Sequence, residues 1–174
     1  MLTRRQFIKA GIIGGAALTA AGIFYSRGLK EAPGDAVPHR LTLSERTIVG
    51  ALVPAILAGV LPAAGEARSR AIAQTVDGVG TAIAGLSAPA QQELGELFAL
   101  LGAAPGRVLV ARLWPAWEAA TTEEIVAFLE GWRQSRFALL RSAYAGLHDL
   151  VLGAWYGTPD AWEAIGYPGP PEML

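Results

Sequence analysis

The stretch TTEEIVAFLEGWRQSRFALLRSAYAGLHDLVLGAWYG, residues 121–157, is the part of this chain that decides its fold. It opens with Thr121, and Glu124 follows three positions later. This is the spacing of a capping box, in which the two side chains satisfy backbone N–H groups at the start of a helix. Apolar residues then recur at intervals of three and four, and no proline interrupts them. The pattern predicts one long helix of about nine turns that ends at Gly157.

Two apolar stripes run along this predicted helix, and two stripes imply burial on two sides. The first consists of Ile125, Leu129, Trp132, Leu139, Ala143, Leu147 and Leu150, and the second consists of Val126, Phe137, Leu140, Tyr144, Val151 and Trp155. A central helix surrounded by its own bundle is the simpler interpretation. The alternative is that one stripe faces the core and the other faces a partner protein.

The sequence before this stretch is also helical in its spacing. Thr42 and Glu45 form a second capping box, and the helix that follows is expected to bury Ile48, Val49, Leu52 and Val53 until Pro54 kinks or ends it. Residues 66–84 and a segment that begins at Ser87 continue the helical pattern. No stretch alternates as a strand would. We therefore predict an all-α protein, a single compact helical bundle over residues 42–157.

Composition and charge limit what the body can do. The chain has 174 residues and no cysteine, which removes thiolate catalysis and thiolate metal sites. Four of its basic residues lie within residues 1–27, where there is no acidic residue. The rest of the chain therefore carries a net charge of −5. A mildly acidic body argues against binding to nucleic acid.

Residues 1–27 are organised as an export signal that could also act as an anchor helix. The stretch TRRQFIK at residues 3–9 contains Arg4, Arg5, Phe7 and Lys9, and a short apolar run rich in glycine and alanine follows at residues 10–25. It closely resembles the signals read by the twin-arginine translocase, and the competing interpretation is an ordinary secretory signal with two chance arginines. Residues 28–41 are expected to be a linker. We expect a periplasmic protein, and a leader left uncleaved would attach it to the inner membrane.

Two polar residues on the predicted long helix, Arg136 and His148, are candidate functional groups. Arg136 follows Trp132 by one turn, so a cation–π contact with that ring is possible, beside the plainer interpretation of a snorkelling side chain or an ion pair. His148 stands next to Asp149. With His39 it makes only two histidines in the chain, which is too few for a conventional multi-histidine metal site.

Residues 158–174 are predicted to form a short helix and an extended, proline-rich C-terminal arm. Thr158 and Pro159 suit the start of a helix, and we expect the core of the body to lie upstream of Gly157. Aromatic residues and prolines here are of the types that anchor interfaces or hold a segment extended. The residues predicted to bind a partner are Trp155, Tyr156, Trp162, Tyr167, Pro168, Pro170 and Pro171. The alternative is that the arm only covers its own core.

Residues 3–9, 41–54 and 155–171 together resemble the small subunits of bacterial membrane-associated flavin dehydrogenases of the gluconate, glucose, sorbitol and fructose type. The resemblance implies a non-catalytic accessory subunit with no cofactor of its own. Its partner would be a large FAD-dependent dehydrogenase of the glucose–methanol–choline class, whose maturation and export it supports. In such complexes a cytochrome c subunit often takes the electrons onward. The resemblance assigns no catalytic residue to this chain.

Two other functions compete with this expectation. One is an independent periplasmic helical protein that binds an apolar ligand or haem, which would need a large enclosed apolar pocket. The other is a small enzyme such as a hydrolase. The sequence offers no evident pair of nucleophile and base, so the enzyme ranks last.

Overall fold

Helices supply all the regular structure in the described part of the chain. The computed structural model describes residues 40–164, 166 and 168. Of these residues 72% are helical and none lies in a strand, so the predicted all-α class is confirmed for them. In chain order the helices are α1 (Leu43–Ile56), α2 (Gly65–Ala84), α3 (Ala88–Gly102), α4 (Ala104–Leu109), α5 (Thr122–Arg133), α6 (Ala138–Tyr156) and α7 (Pro159–Ala164).

Both predicted capping boxes are present. The Thr42 hydroxyl accepts a bond from the Glu45 N–H at 3.3 Å, and the Glu45 carboxylate accepts one from the Thr42 N–H at 2.7 Å. Thr121 and Glu124 make the same reciprocal pair at 3.2 and 2.9 Å. These bonds satisfy N–H groups that have no partner within the helix, which fixes where α1 and α5 begin.

Helix α1 is the most deeply buried of the first three helices. Ile48, Val49, Leu52 and Val53 are all buried, as the sequence predicted. Each such aliphatic side chain contributes about 1.5–3 kcal/mol by leaving water. Pro54 lies in the last turn, and the helix ends two residues later at Ile56.

Helices α2 and α6 form the most extensive helix pair of the bundle. From α2 the pair buries Val76, Val79 and Ile83, and from α6 it buries Leu147 and Val151. The helical pattern predicted over residues 66–84 corresponds to α2. Because α2 and α6 are far apart in sequence, their packing closes the bundle on itself.

The prediction of one uninterrupted helix over residues 121–157 is wrong. Helix α5 ends at Arg133 and α6 begins at Ala138. In the connection the Ser135 hydroxyl accepts a bond from the Phe137 N–H at 3.1 Å, and the Arg141 guanidinium donates to the Ser135 carbonyl at 2.6 Å. These local bonds use groups that a continuous helix would have paired along its axis. The chain breaks here without proline or glycine.

The break also divides the two predicted stripes. Ile125, Leu129 and Trp132 of the first stripe are buried in α5. Helix α6 buries Ala143 and Leu147 of the first stripe together with Val151 and Trp155 of the second. Val126 and Phe137 of the second stripe are exposed instead. Each helix therefore buries one face of its own, and neither predicted stripe is continuous.

The irregular segment between α4 and α5 is held by aromatic side chains. The Trp117 indole donates to the Leu101 carbonyl at 2.9 Å, and the Trp132 indole donates to the Val110 carbonyl at 3.0 Å. Phe128 lies between the two indoles, edge to face with both, at centroid distances of 5.8 and 4.8 Å. A buried indole needs a partner for its N–H, and here the Leu101 carbonyl of α3 and the Val110 carbonyl after α4 supply it.

The corner between α3 and α4 requires a glycine at position 106. A Cβ added to Gly106 would lie 1.9 Å from the Leu100 carbonyl oxygen, so no other residue fits without movement of the backbone. This close approach turns the chain sharply after α3. The predicted leader and most of the predicted linker, residues 1–39, lie outside the described residues.

Candidate functional site

The C-terminal arm leaves the bundle from a defined base at the end of α6. Gly157 closes the helix, since its N–H donates to the Gly153 carbonyl at 3.0 Å. The Thr158 hydroxyl donates to the Trp155 carbonyl at 2.7 Å, and Pro159 follows as the first residue of α7. The predicted turn and short helix are therefore present.

Trp162 ties α7 back to α6. Its indole N–H donates to the Tyr156 carbonyl at 2.6 Å, and its side chain is half-buried. Tyr156 is exposed on the last turn of α6. Two of the predicted partner-binding residues are thus brought together at the base of the arm, where each keeps part of its surface in solvent.

Trp155 has a different position from the other predicted partner-binding residues. It is only 4% exposed and belongs to the core. Ala161 of α7 is fully buried. The predicted stripes lie upstream of Gly157, and α7 adds one further core residue beyond it.

An open groove of about 380 Å³ lies beside Trp155. Its walls come from the turn after α1 and from the first half of α2, and its lining is Val60, Leu61, Pro62, Ala67, Arg70, Ala71, Gln74 and Trp155. Apolar residues form its floor, while Arg70 and Gln74 supply polar groups at its edge. Such a groove could hold an apolar side chain or a short segment of another chain, and it differs from the large enclosed pocket expected of a carrier for an apolar ligand.

The structure describes only some of the remaining residues of the arm. Gly166 has φ +70°, a conformation that favours glycine, and Pro168 is exposed. Tyr167, Pro170 and Pro171 lie outside the described residues, as do Arg4, Arg5, Phe7 and Lys9 of the export signal. The placement of these seven residues therefore stays a prediction.

His148 and Arg136, the two polar residues singled out in the sequence, both have neighbours within the described residues. His148 Nδ1 lies 3.5 Å from the Asp149 carboxylate, and its ring lies 5.4 Å from the Tyr144 ring. Over the described residues, no group of three or more potential metal-ligating side chains comes together. The Arg136 guanidinium lies 4.8 Å from the centroid of the Phe137 ring. The cation–π contact predicted for Arg136 thus exists with Phe137 and not with Trp132, whose indole points to Val110.

No protein family, curated protein or solved structure matches this chain.

Sequence reasoning missed a second surface, at the junction of α4, α5 and α6. Leu109 and Trp114 are 77% and 78% exposed, and Phe137 is 54% exposed. Their sequence signals were ambiguous, because Leu109 and Trp114 fall in a weakly periodic segment and Phe137 fits the helical spacing of a buried stripe. In none of the described helices is there an apolar run long enough to cross a bilayer.

The arginines near this surface differ in whether a carboxylate binds them. The Arg133 guanidinium binds the Glu130 carboxylate at 2.7 Å, and this hydrogen bond lowers the pKa of Glu130. Arg112, Arg136 and Arg141 are exposed nearby. Since Glu130 is engaged by Arg133, the other three guanidinium groups give the surface a local positive charge on a body that is acidic overall.

Proposed function

We propose that this protein is a non-catalytic accessory subunit that binds a large FAD-dependent dehydrogenase of the glucose–methanol–choline class. It supports maturation of that partner and carries it, already folded, through the twin-arginine translocase to the periplasm. FAD belongs to the partner in this proposal. A cytochrome c subunit would receive the electrons where the complex contains one.

The observation that carries the proposal is the base of the C-terminal arm. The bond from the Trp162 indole to the Tyr156 carbonyl and the buried Ala161 fix α7 on the bundle. The aromatic and proline residues that follow therefore start from a fixed point. A restricted segment loses less conformational entropy on docking than a free tail, which suits it to binding a partner.

The leader supports a role in export. Arg4 and Arg5 are typical of a route that moves folded proteins. Folded export would be needed because the partner protein acquires its flavin in the cytoplasm. One leader on the accessory subunit would then serve both chains. Tyr156, Trp162 and Tyr167 are the proposed anchors, and Trp155 supports them from within the core.

Co-purification tests the proposal. A tagged copy of the chain should capture one large protein in stoichiometric amount, and that protein should carry FAD, identified by its absorbance and by mass spectrometry. The chain purified alone should show neither flavin nor haem absorbance and no dehydrogenase activity. Stoichiometric cofactor held by the chain alone would contradict the accessory role.

The second candidate is an independent periplasmic protein that binds a small apolar ligand, and the open groove beside Trp155 lacks the enclosure that such a ligand needs. Native mass spectrometry separates the two functions. A chain that emerges from the cell with a bound small molecule and no flavoprotein would support the second candidate, whereas a stable complex with a flavoprotein supports the first.

A further inference from the structure

Leu109, Trp114 and Phe137 are the bulky apolar side chains of what we call the arginine–aromatic end, together with Arg112, Arg136 and Arg141. Contacts along the chain bring these residues to one end of the bundle. The Trp132 indole at the end of α5 donates to the Val110 carbonyl at 3.0 Å, which joins α5 to the residue that follows α4. The Leu113 N–H donates to the Arg107 carbonyl at 3.0 Å, so the segment that carries Trp114 folds back onto α4.

The exposure of these side chains is unfavourable in water. Trp114 is 78% exposed, which leaves most of a large apolar ring solvated, and Leu109 is 77% exposed. Phe137 is partly covered by the Arg136 guanidinium, at 4.8 Å from its centroid. Exposed apolar side chains and exposed arginines therefore occur together in these segments, and the combination suits a surface that has both apolar and anionic character.

The N-terminal segment joins the body near the same end. A Cβ on Gly102, the last residue of α3, would lie 2.8 Å from the Ser44 hydroxyl, so the start of α1 lies beside the end of α3, two residues before α4 begins. Residues 1–39 precede α1, and they include the apolar run at residues 10–25. A chain held at a bilayer through that run would keep the body within reach of the lipid surface.

We infer that the arginine–aromatic end docks on the surface of a bilayer that contains anionic lipid. Tryptophan and phenylalanine rings enter the headgroup region, and arginine side chains pair with lipid phosphates while their stems lie along the apolar boundary. The C-terminal arm is at the far end of α6, so a docked body leaves the arm free for a partner. This inference does not rest on the proposed function, since a membrane contact does not depend on what the arm binds.

Quenching of tryptophan fluorescence by brominated lipid tests the inference on the full chain. All five tryptophans lie between residues 114 and 162, so the leader contributes no signal even where it inserts. With vesicles of phosphatidylglycerol and dibrominated phosphatidylcholine, we expect lipid to quench part of the emission. Trp114→Phe should abolish that part, and the matched control Trp162→Phe, at the other end of α6, should retain it.

Lipid charge provides the second arm of the test. Replacing Arg112, Arg136 and Arg141 with Gln should raise the lipid concentration that gives half-maximal quenching, by about fivefold for each arginine. Vesicles of dibrominated phosphatidylcholine alone should quench much less. Circular dichroism of each variant confirms that the exposed substitutions leave the bundle folded.

Several results would overturn the docking inference. They are equal quenching of the wild type and Trp114→Phe, loss of quenching in Trp162→Phe instead, or equal quenching by neutral and anionic vesicles. A photo-crosslinking residue at position 114 that captures a protein, with no quenching by lipid, would identify the surface as a protein interface and would also contradict the inference.

Discussion

Gly78 of α2 lies directly against Ala154 of α6. A Cβ placed on Gly78 would be 3.1 Å from the Cβ of Ala154 and 3.4 Å from its carbonyl oxygen. The two helices therefore approach closely at a point where both residues are small. Since α2 and α6 form the most extensive pair of the bundle, this contact sets how closely the bundle packs.

Gly78→Leu should destabilise the protein by about 1–3 kcal/mol, because the side chain must displace α6. Denaturant unfolding followed by circular dichroism measures the change. Gly153→Leu is the matched control, since a Cβ on Gly153 meets nothing within 4 Å and leucine favours the helix by up to about 1 kcal/mol. Equal stability of the two variants would contradict the close packing of α2 on α6. Adding Ala154→Gly to Gly78→Leu should recover part of the loss.

The arm can be removed at two positions that the structure distinguishes. Truncation after Gly157 removes the buried Ala161 and the Trp162 bond to Tyr156, so it should lower the free energy of unfolding by about 1–3 kcal/mol. Truncation after Ala164 keeps α7 and should change the free energy of unfolding by less than about 0.5 kcal/mol.

The longer truncated chain then isolates the role of the arm. A protein that ends at Ala164, retains its melting temperature and loses capture of the flavoprotein would support the arm as a docking segment. The same protein binding its partner at full strength would show that residues 165–174 are not needed for the interaction.

The sequence predicted the helices where local chemistry is decisive. The capping boxes at Thr42 and Thr121 each depend on two side chains three positions apart, and both are present. The break at Ser135 depends on a hydroxyl that can equally well face solvent in a helix, so only the folded arrangement reveals it. Trp117 could not be placed from its irregular surroundings, because its partner is a backbone carbonyl sixteen residues away.

The candidate site was predictable to a smaller extent. Aromatic residue types indicated the base of the arm, and Tyr156 and Trp162 do meet there. Residue type alone could not predict that Trp155 is buried while its neighbour Tyr156 is exposed. Which of the two is buried depends on the face of α6 that packs against α2. The arginine–aromatic end brings together three segments that no short-range pattern relates.

Glu93 should make the stability depend on pH. Burial, and secondarily the neighbouring Glu96 carboxylate, raise the pKa of Glu93. The folded state therefore holds this proton more tightly than the unfolded chain, so its stabilising effect is present at low pH and is lost as the pH rises through the raised pKa. Glu93→Gln should increase the free energy of unfolding by about 0.2–0.5 kcal/mol at neutral pH and bring no gain in acid. Glu123→Gln, in the first turn of α5, should instead decrease it at neutral pH, because a negative charge there favours the helix.

Arg112 has φ 55°, a backbone conformation that side chains other than glycine adopt at a cost. Arg112→Gly should therefore raise the free energy of unfolding by about 0.5–1 kcal/mol. Arg141→Gly, at an exposed position within α6, removes the same charge but should lower it by about 1 kcal/mol. Thermal unfolding of both variants measures the difference, and a shift of the same sign in both would argue against strain at Arg112.

The most direct test of the escort role is the compartment of the flavoprotein when Arg4 and Arg5 of this chain are both replaced by Lys. The substitution keeps the charge but removes the guanidinium geometry that the translocase is expected to read. Cell fractionation and periplasmic dehydrogenase activity give the result. If this chain escorts the flavoprotein, the accessory chain and the FAD-loaded flavoprotein should both remain in the cytoplasm. Normal export of the flavoprotein in cells that contain only the double Lys variant would contradict the escort role.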